Sequence, residues 1–220
     1  MIAGLDNAQV AGGCLAAYGD FADLIAGLDD AAWRAPTRCA GWEVRDIAGH
    51  VVGLASDALS GSPGLRQPDE HAAALRDHSP DELAAQLREH RAVFESFFDG
   101  LADSAWDGAS PVPEMSLARG VLGLWFDTYV HADDVRAALG RAPDRGPSLE
   151  ASVAFLAYSL TTDGWGPATL KLDGMTPRDI GAGGRLITGD PHQFVLVATG
   201  RADAGSLGVD PSINVYRDES

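Results

Sequence analysis

Lysine is almost missing from this chain: Lys171 is the only one among 16 basic residues, set against 32 acidic ones. The net charge of −16 repels phosphate backbones and anionic lipid, which argues against nucleic acid and membrane surfaces as partners. Cysteine is scarce too. Cys14 and Cys39, with no CxxC or Cys/His spacing, make neither a disulfide framework nor a cysteine-built metal site. Cys39 lies in the loop-like stretch APTRCAGW, where it is either a reactive thiol or an idle packed residue. No apolar run is long enough to span a bilayer. The first residues, MIAGLDNAQVAGG, lack the basic start of a signal peptide. A cytoplasmic protein is the expectation. Arginine in place of lysine, in an Ala/Gly-rich chain, suggests a GC-rich source genome.

What is present is an ordinary globular composition, 45% apolar and 22% charged over 220 residues, enough for a medium domain plus a small one. Over residues 8–29, Leu15, Tyr18, Phe21, Ala22, Ile25 and Leu28 recur at helical spacing. Pro36 and Gly41 interrupt the pattern. A second helix is predicted from Glu43 to Leu59, with Val44, Ile47, Val51, Leu54 and Ala58 on one side and His50 beside them. SGSPGLRQPDE (60–70) reads as a loop. Ser79-Pro80-Asp81-Glu82 is a helix start: a cap, a proline at the first position and acids in the first turn. The helix it opens carries Leu83, Leu87, His90, Phe94, Phe97, Phe98 and Leu101 on one face, and DSAWDGASPVPE closes it. A fourth helix runs from about Ser116 to Leu139, where Gly140 stops it. Four amphipathic helices with such connections predict a four-helix bundle over residues 1–142.

The pattern changes after a linker at 140–148. One apolar helix begins near Pro147. Short candidate strands follow at 168–174, 185–189 and 193–200. Residues 148–220 therefore read as a small α+β unit with an antiparallel sheet.

Within WFDTYVHADD (125–134), Asp127 and His131 lie four residues apart, one turn along the same face of a helix. His131 falls on the apolar stripe and Asp127 flanks it. A carboxylate taken out of water costs several kcal/mol unless it is paired or bound to a cation. His50 is the natural third group. Two imidazoles and a carboxylate from two facing helices would form a metal site with open positions, as catalytic zinc sites have, and the same set suits non-haem iron. Spacing alone also allows a plain reading, with His131 paired to Asp127 and His50 a core histidine. Asp134, three residues after His131, could orient its imidazole from behind. Asp46 could do the same for His50, although capping the second helix is its simpler role. His90 is a core histidine or a fourth ligand. Trp42, Trp125 and Trp165 read as core or interface residues.

TRCAGWEVRDIAGHVVG (37–53) resembles the mycothiol-dependent maleylpyruvate isomerase family of the DinB-like superfamily, in which a Trp-x-Val-x-Asp stretch leads to a metal-binding histidine. Here those residues are Trp42, Val44, Asp46 and His50. DTYVHADDVRAALG (127–140) resembles its second segment, with Asp127, His131 and Asp134. FVLVATGRADA (194–204) is similar to the small sterol-carrier-like domain often appended in the family. The resemblance implies a DinB-like four-helix bundle over 1–142, then that domain over 148–220. It implies a divalent ion, usually zinc, held by His50, Asp127 and His131, and it makes Arg201 the catalytic arginine. Two residues depart from the pattern: the acid is often Glu where Asp127 stands, and a Ser or Thr cap is usual where Glu43 stands.

The resemblance also implies an activity. The family's best-known member isomerises a cis double bond conjugated to a carbonyl by adding and expelling the thiol mycothiol, and other superfamily members transfer thiols. A small-molecule substrate and a low-molecular-weight thiol are the expected partners. Two alternatives stand beside this: a same-fold enzyme using the ion as a Lewis acid in a biosynthetic step, and a non-enzymatic small-molecule binder.

Overall fold

The structure is a computed structural model that describes residues 1–112 and 115–216. Pro113 and Glu114, which end the stretch read as closing the third predicted helix, and residues 217–220 of the predicted second domain lie outside the described residues. The chain divides into two compact units, Met1–Pro143 and a second beginning at Asp144.

Four long helices build the first unit: α1 (Asn7–Ile25), α3 (Val44–Leu59), α5 (Pro80–Asp99) and α6 (Leu117–Ala138). Two short helices, α2 (Asp30–Trp33) and α4 (Pro68–Leu75), join them. α1 and α3 each pack against both α5 and α6, which closes the four into a bundle. Their starts follow the local chemistry. Asp6 caps α1 by accepting from Gln9 N at 2.8 Å. Ser79 and Glu82 form a reciprocal capping box at the start of α5, and Ser116 caps α6. Glu43 N donates to Asp46 Oδ2 at 2.9 Å, so Asp46 does cap the helix that carries His50. The bundle core includes Tyr18, Phe21, Ile25, Ile47, Leu83, Leu87 and Leu122, all essentially inaccessible.

One connection differs from its expected form. Residues 60–70 were expected as a loop, yet Pro68 begins α4, which lies on α3. The contact depends on two glycines one turn apart. A Cβ on Gly49 would stand 3.2 Å from Ala72 Cα, and one on Gly53 would stand 2.7 Å from His71 Cβ. With no side chain at either position, α4 approaches the α3 backbone directly.

The second unit holds α7 (Pro147–Thr162), strands β1 (Ala168–Leu172), β2 (Arg178–Ile180) and β3 (Arg185–Gly189), and α8 (Pro191–Ala198). The small α+β architecture is as expected, with three differences, the first being that the strand β2 was not among those expected. The sheet is mixed, in the order β2-β1-β3. β1 pairs antiparallel with β2 through Ala168↔Ile180 and parallel with β3 through Ala168↔Arg185. Residues 193–200, expected as a strand, fall largely in α8. Asp190 caps that helix, accepting from His192 N at 2.7 Å, with Pro191 in its first turn. This start signal outweighs the β-branched content of the segment. Phe194, Val195, Val197 and Ala198 are all buried, so no alternation existed to separate strand from helix.

Candidate metal centre

His50 sits mid-way along α3; Asp127 and His131 sit one turn apart on α6. Because α3 and α6 pack together, the three side chains meet. One donor atom from each lies within 4.8 Å of the others. His50 Nε2 is 3.4 Å from Asp127 Oδ2, and His131 Nε2 is 3.6 Å from Asp127 Oδ1. Both histidines are buried and Asp127 is partly so. The two imidazoles meet edge to face, with centroids 4.9 Å apart.

These separations fit a shared cation better than direct pairing. Hydrogen bonds to carboxylates close to about 2.7–3.2 Å. Two donors each ~2.0–2.1 Å from a tetrahedral ion instead stand roughly 3.3–3.4 Å apart. Two imidazoles and one carboxylate are also a chemically suitable donor set for a divalent metal.

Each imidazole is backed on its other nitrogen. His131 Nδ1 lies 3.2 Å from Asp134 Oδ2, near enough for an ion pair though not aligned as a hydrogen bond. Asp134 is wholly buried. It accepts from Arg38 Nε at 3.1 Å and from the Cys39 thiol at 3.3 Å, while Asp133 takes the same arginine's NH2 at 2.6 Å. Behind His50 stands His71, with Nδ1 facing Nδ1 at 3.4 Å. Asp46 is occupied elsewhere, by Glu43 N and by Arg76.

Trp42 walls the site. Its ring centroid is 5.5 Å from that of His50 and 6.1 Å from that of His131, and its Nε1 donates to Asp69 Oδ1 at 2.8 Å. Trp125, by contrast, packs on Gly13, where a Cβ would stand 2.2 Å from the ring. His90 does not join the cluster. Burial pushes its pKa down, and its Nδ1 has no hydrogen-bond partner. Tyr18, deep in the core, is raised well above the usual phenol range, first by burial and then by the charges of Cys14 and Asp127. In the second unit, Arg201 follows Gly200 at the end of α8; its NH1 donates to Thr199 O at 3.2 Å and it lies over the Tyr216 ring. In that unit Trp165 Nε1 donates to Ser212 Oγ at 3.1 Å.

Sequence reasoning missed His71 and Asp57: the loop was read over 60–70 and no element was assigned to the stretch from His71 to His78, while Asp57 lay in the predicted second helix but was given no role. The signal present was Pro68-Asp69-Glu70, the same proline-and-acids start that marks α5.

A cavity of about 290 Å³ opens between α3, α5 and α6, lined by Leu54, Phe94, Phe98, Val121 and Leu124 among others. Leu54 is one turn beyond His50, and Leu124 is three residues before Asp127. A second cleft of about 400 Å³ is bordered by Arg34, Arg45 and Arg76, and none of the three donors lines either cavity.

The family described as the mycothiol maleylpyruvate isomerase N-terminal domain matches residues 14–136. Two solved structures share the fold. The crystal structure of the mycothiol-dependent maleylpyruvate isomerase is 17% identical, with a TM-score of 0.67, covering 94% of this chain and 96% of that one. A histidine-to-alanine mutant of that enzyme gives 17% identity and a TM-score of 0.63 at the same coverage. No curated protein sequence matches.

Proposed function

The chain belongs to the mycothiol maleylpyruvate isomerase N-terminal domain family, and from that premise we propose that it is a metal-dependent enzyme working with a low-molecular-weight thiol on a small molecule. The observation that carries the proposal is the meeting of His50, Asp127 and His131 donor atoms within 4.8 Å inside a packed bundle. These three residues would hold a divalent ion, with zinc the proposed metal. When bound, such an ion supplies Lewis acidity, which lowers the pKa of a thiol or polarises a carbonyl.

The proposed reaction is a cis–trans isomerisation of the kind named for the structural neighbour, with mycothiol as the thiol; thiol transfer is its close variant. The thiolate adds to an alkene carbon conjugated with a carbonyl, forming a C–S bond and leaving a rotatable C–C single bond. After rotation the same C–S bond breaks, the thiolate departs with its electron pair, and the alkene is restored as trans. Trp42 closes one side of the centre. Asp134 steadies the His131 ring, and Arg201, in the second unit, is the proposed catalytic arginine.

The apolar cavity whose lining residues Leu54 and Leu124 lie about one turn along α3 and α6 from His50 and Asp127 favours a second reading for the substrate, a molecule with a hydrocarbon or aromatic part in place of a small diacid. It also keeps in view a same-fold enzyme of Lewis-acid chemistry and a non-enzymatic binder. Metal analysis tests the proposal first: one divalent ion per chain, lost in His50→Ala, is expected, and a folded metal-free protein that takes up no zinc refutes it. Mycothiol-saturable turnover of maleylpyruvate then tests the reaction, and turnover indifferent to thiol would transfer the site to Lewis-acid chemistry.

A further inference from the structure

We propose that His71 and Asp57 are positioning residues that fix the ring tautomer of His50, so that its Nε2 presents a lone pair to the metal centre. The proposal rests on the metal-centre reading above.

The geometry is a chain of two imidazoles ending on a carboxylate. His50 Nε2 faces Asp127, and its Nδ1 faces His71 Nδ1 at 3.4 Å. His71 Nε2 lies 2.8 Å from Asp57 Oδ2. His71 is almost wholly buried, and Asp57 is buried too. Arg66 Nε donates to Asp57 Oδ1 at 3.0 Å and Oδ2 at 3.1 Å. Arg66 foremost, with a hydrogen bond from His71 adding to it against the opposing effect of burial, holds Asp57 below the usual carboxylate range. Asp57 is therefore an acceptor at neutral pH.

A neutral imidazole carries one ring proton, and the other nitrogen is the acceptor. The Asp57 carboxylate accepts only, so it draws the His71 proton to Nε2. That leaves His71 Nδ1 with a lone pair facing His50. His50 then places its proton on Nδ1, and its Nε2 is free to ligate. Each donor meets an acceptor, and the order runs in one direction, away from the centre. The reverse order would set a bare His71 Nε2 against an anion.

The packing shows how His71 reaches this position. Gly53 has no Cβ, and the His71 ring fills the space: a methyl there would lie 2.8 Å from Cδ2. Asp57 follows one turn later on the same helix. One face of α3 thus supplies the ligand, the clearance and the terminal carboxylate. Partners of this kind behind ligating histidines set ring orientation and basicity.

The test uses the full chain. Zinc affinity is measured by competition with a chromophoric chelator, and ring protonation by two-bond proton–nitrogen correlation NMR of histidine-labelled protein. In the wild type, His71 is expected to carry its proton on Nε2. In Asp57→Asn the amide can donate to His71, which reverses the order, moves the proton to Nδ1 and weakens zinc binding about 10–100-fold. His71→Leu should weaken it comparably. His71→Gln, whose carbonyl can accept from His50 and whose amide can donate to Asp57, should restore most of the affinity. Arg66→Ala, which leaves the carboxylate in place, should keep both tautomer and affinity. Zinc binding unchanged in both Asp57→Asn and His71→Leu overturns the proposal, as does a wild-type His71 protonated on Nδ1. A wild type that takes up no zinc refutes the metal centre instead. The His50 ring still decides the positioning claim in that case: a proton on Nδ1 supports it, and one on Nε2 overturns it.

Discussion

Replacing Gly53 by alanine is the sharpest probe of how α4 is held. In an open helical position Gly→Ala stabilises by ~0.8–1 kcal/mol, through backbone entropy alone. Gly12 on α1 is such a position, with nothing within 4 Å of an added Cβ. At Gly53 the new methyl would stand 2.7 Å from His71 Cβ and 2.8 Å from Cγ and Cδ2. Carbon atoms rest at about 3.5–4.0 Å, so His71 must retreat by roughly 1 Å. Overpacking of this kind costs about 1–3 kcal/mol. Set against the propensity gain, the net change is a loss of ~0–2 kcal/mol, against a gain of ~1 kcal/mol for Gly12→Ala. Urea denaturation of the two variants measures the difference, and zinc competition reads whether His71 has moved away from His50. If Gly53→Ala is stabilised as much as Gly12→Ala and binds zinc as the wild type does, the close approach of α4 is wrong.

Other measurements bear on separate parts of the structure. Zinc at 100 times its Kd should stabilise the wild type by ~2.7 kcal/mol, raising Tm by about 5–10 °C; calorimetry should find that shift absent in His131→Ala. Burial pushes the Cys14 thiol up to about 12, so a thiol reagent at pH ~8 should modify Cys39 and spare Cys14 until the protein unfolds. The pKa of His90 is lowered by burial, so the unfolded chain binds the proton first. Stability should fall as pH drops below the unfolded value of about 6.5, and His90→Gln should flatten that decline in denaturation curves taken between pH ~7 and ~5.

The bundle was legible because its signals were local and repeated. Tyr18, Phe21 and Ile25 on α1, or Leu83, Leu87 and Phe94 on α5, mark one buried face at helical spacing, and Ser79-Pro80 announces a start. The pairing of Asp127 with His131 was legible for the same reason, since a four-residue step fixes two side chains on one side of a helix. His50 required a further inference, that α3 faces α6. His71 could not be reached by periodicity, because α4 is short and owes its place to two glycines on another helix. In the second unit, the cap at Asp190 was local but went unread beside a run of apolar residues. The parallel partner of β1 is a matter of chain routing between 181 and 184, which no alternation pattern records.

The donors are distributed unevenly, two on α6 and one on α3, with α4 and α5 lying between them in the chain. An ion shared by all three would act as a removable cross-link between distant stretches of sequence, restraining the fluctuations by which one helix slides along or peels from another. Loading and stripping the metal would then be felt well away from the ligands, as a coordinated slowing or quickening of amide exchange along α3 and α6 together. The helix that contributes a single donor has the most freedom to lose, so the protection gained along α3 would exceed that along α6.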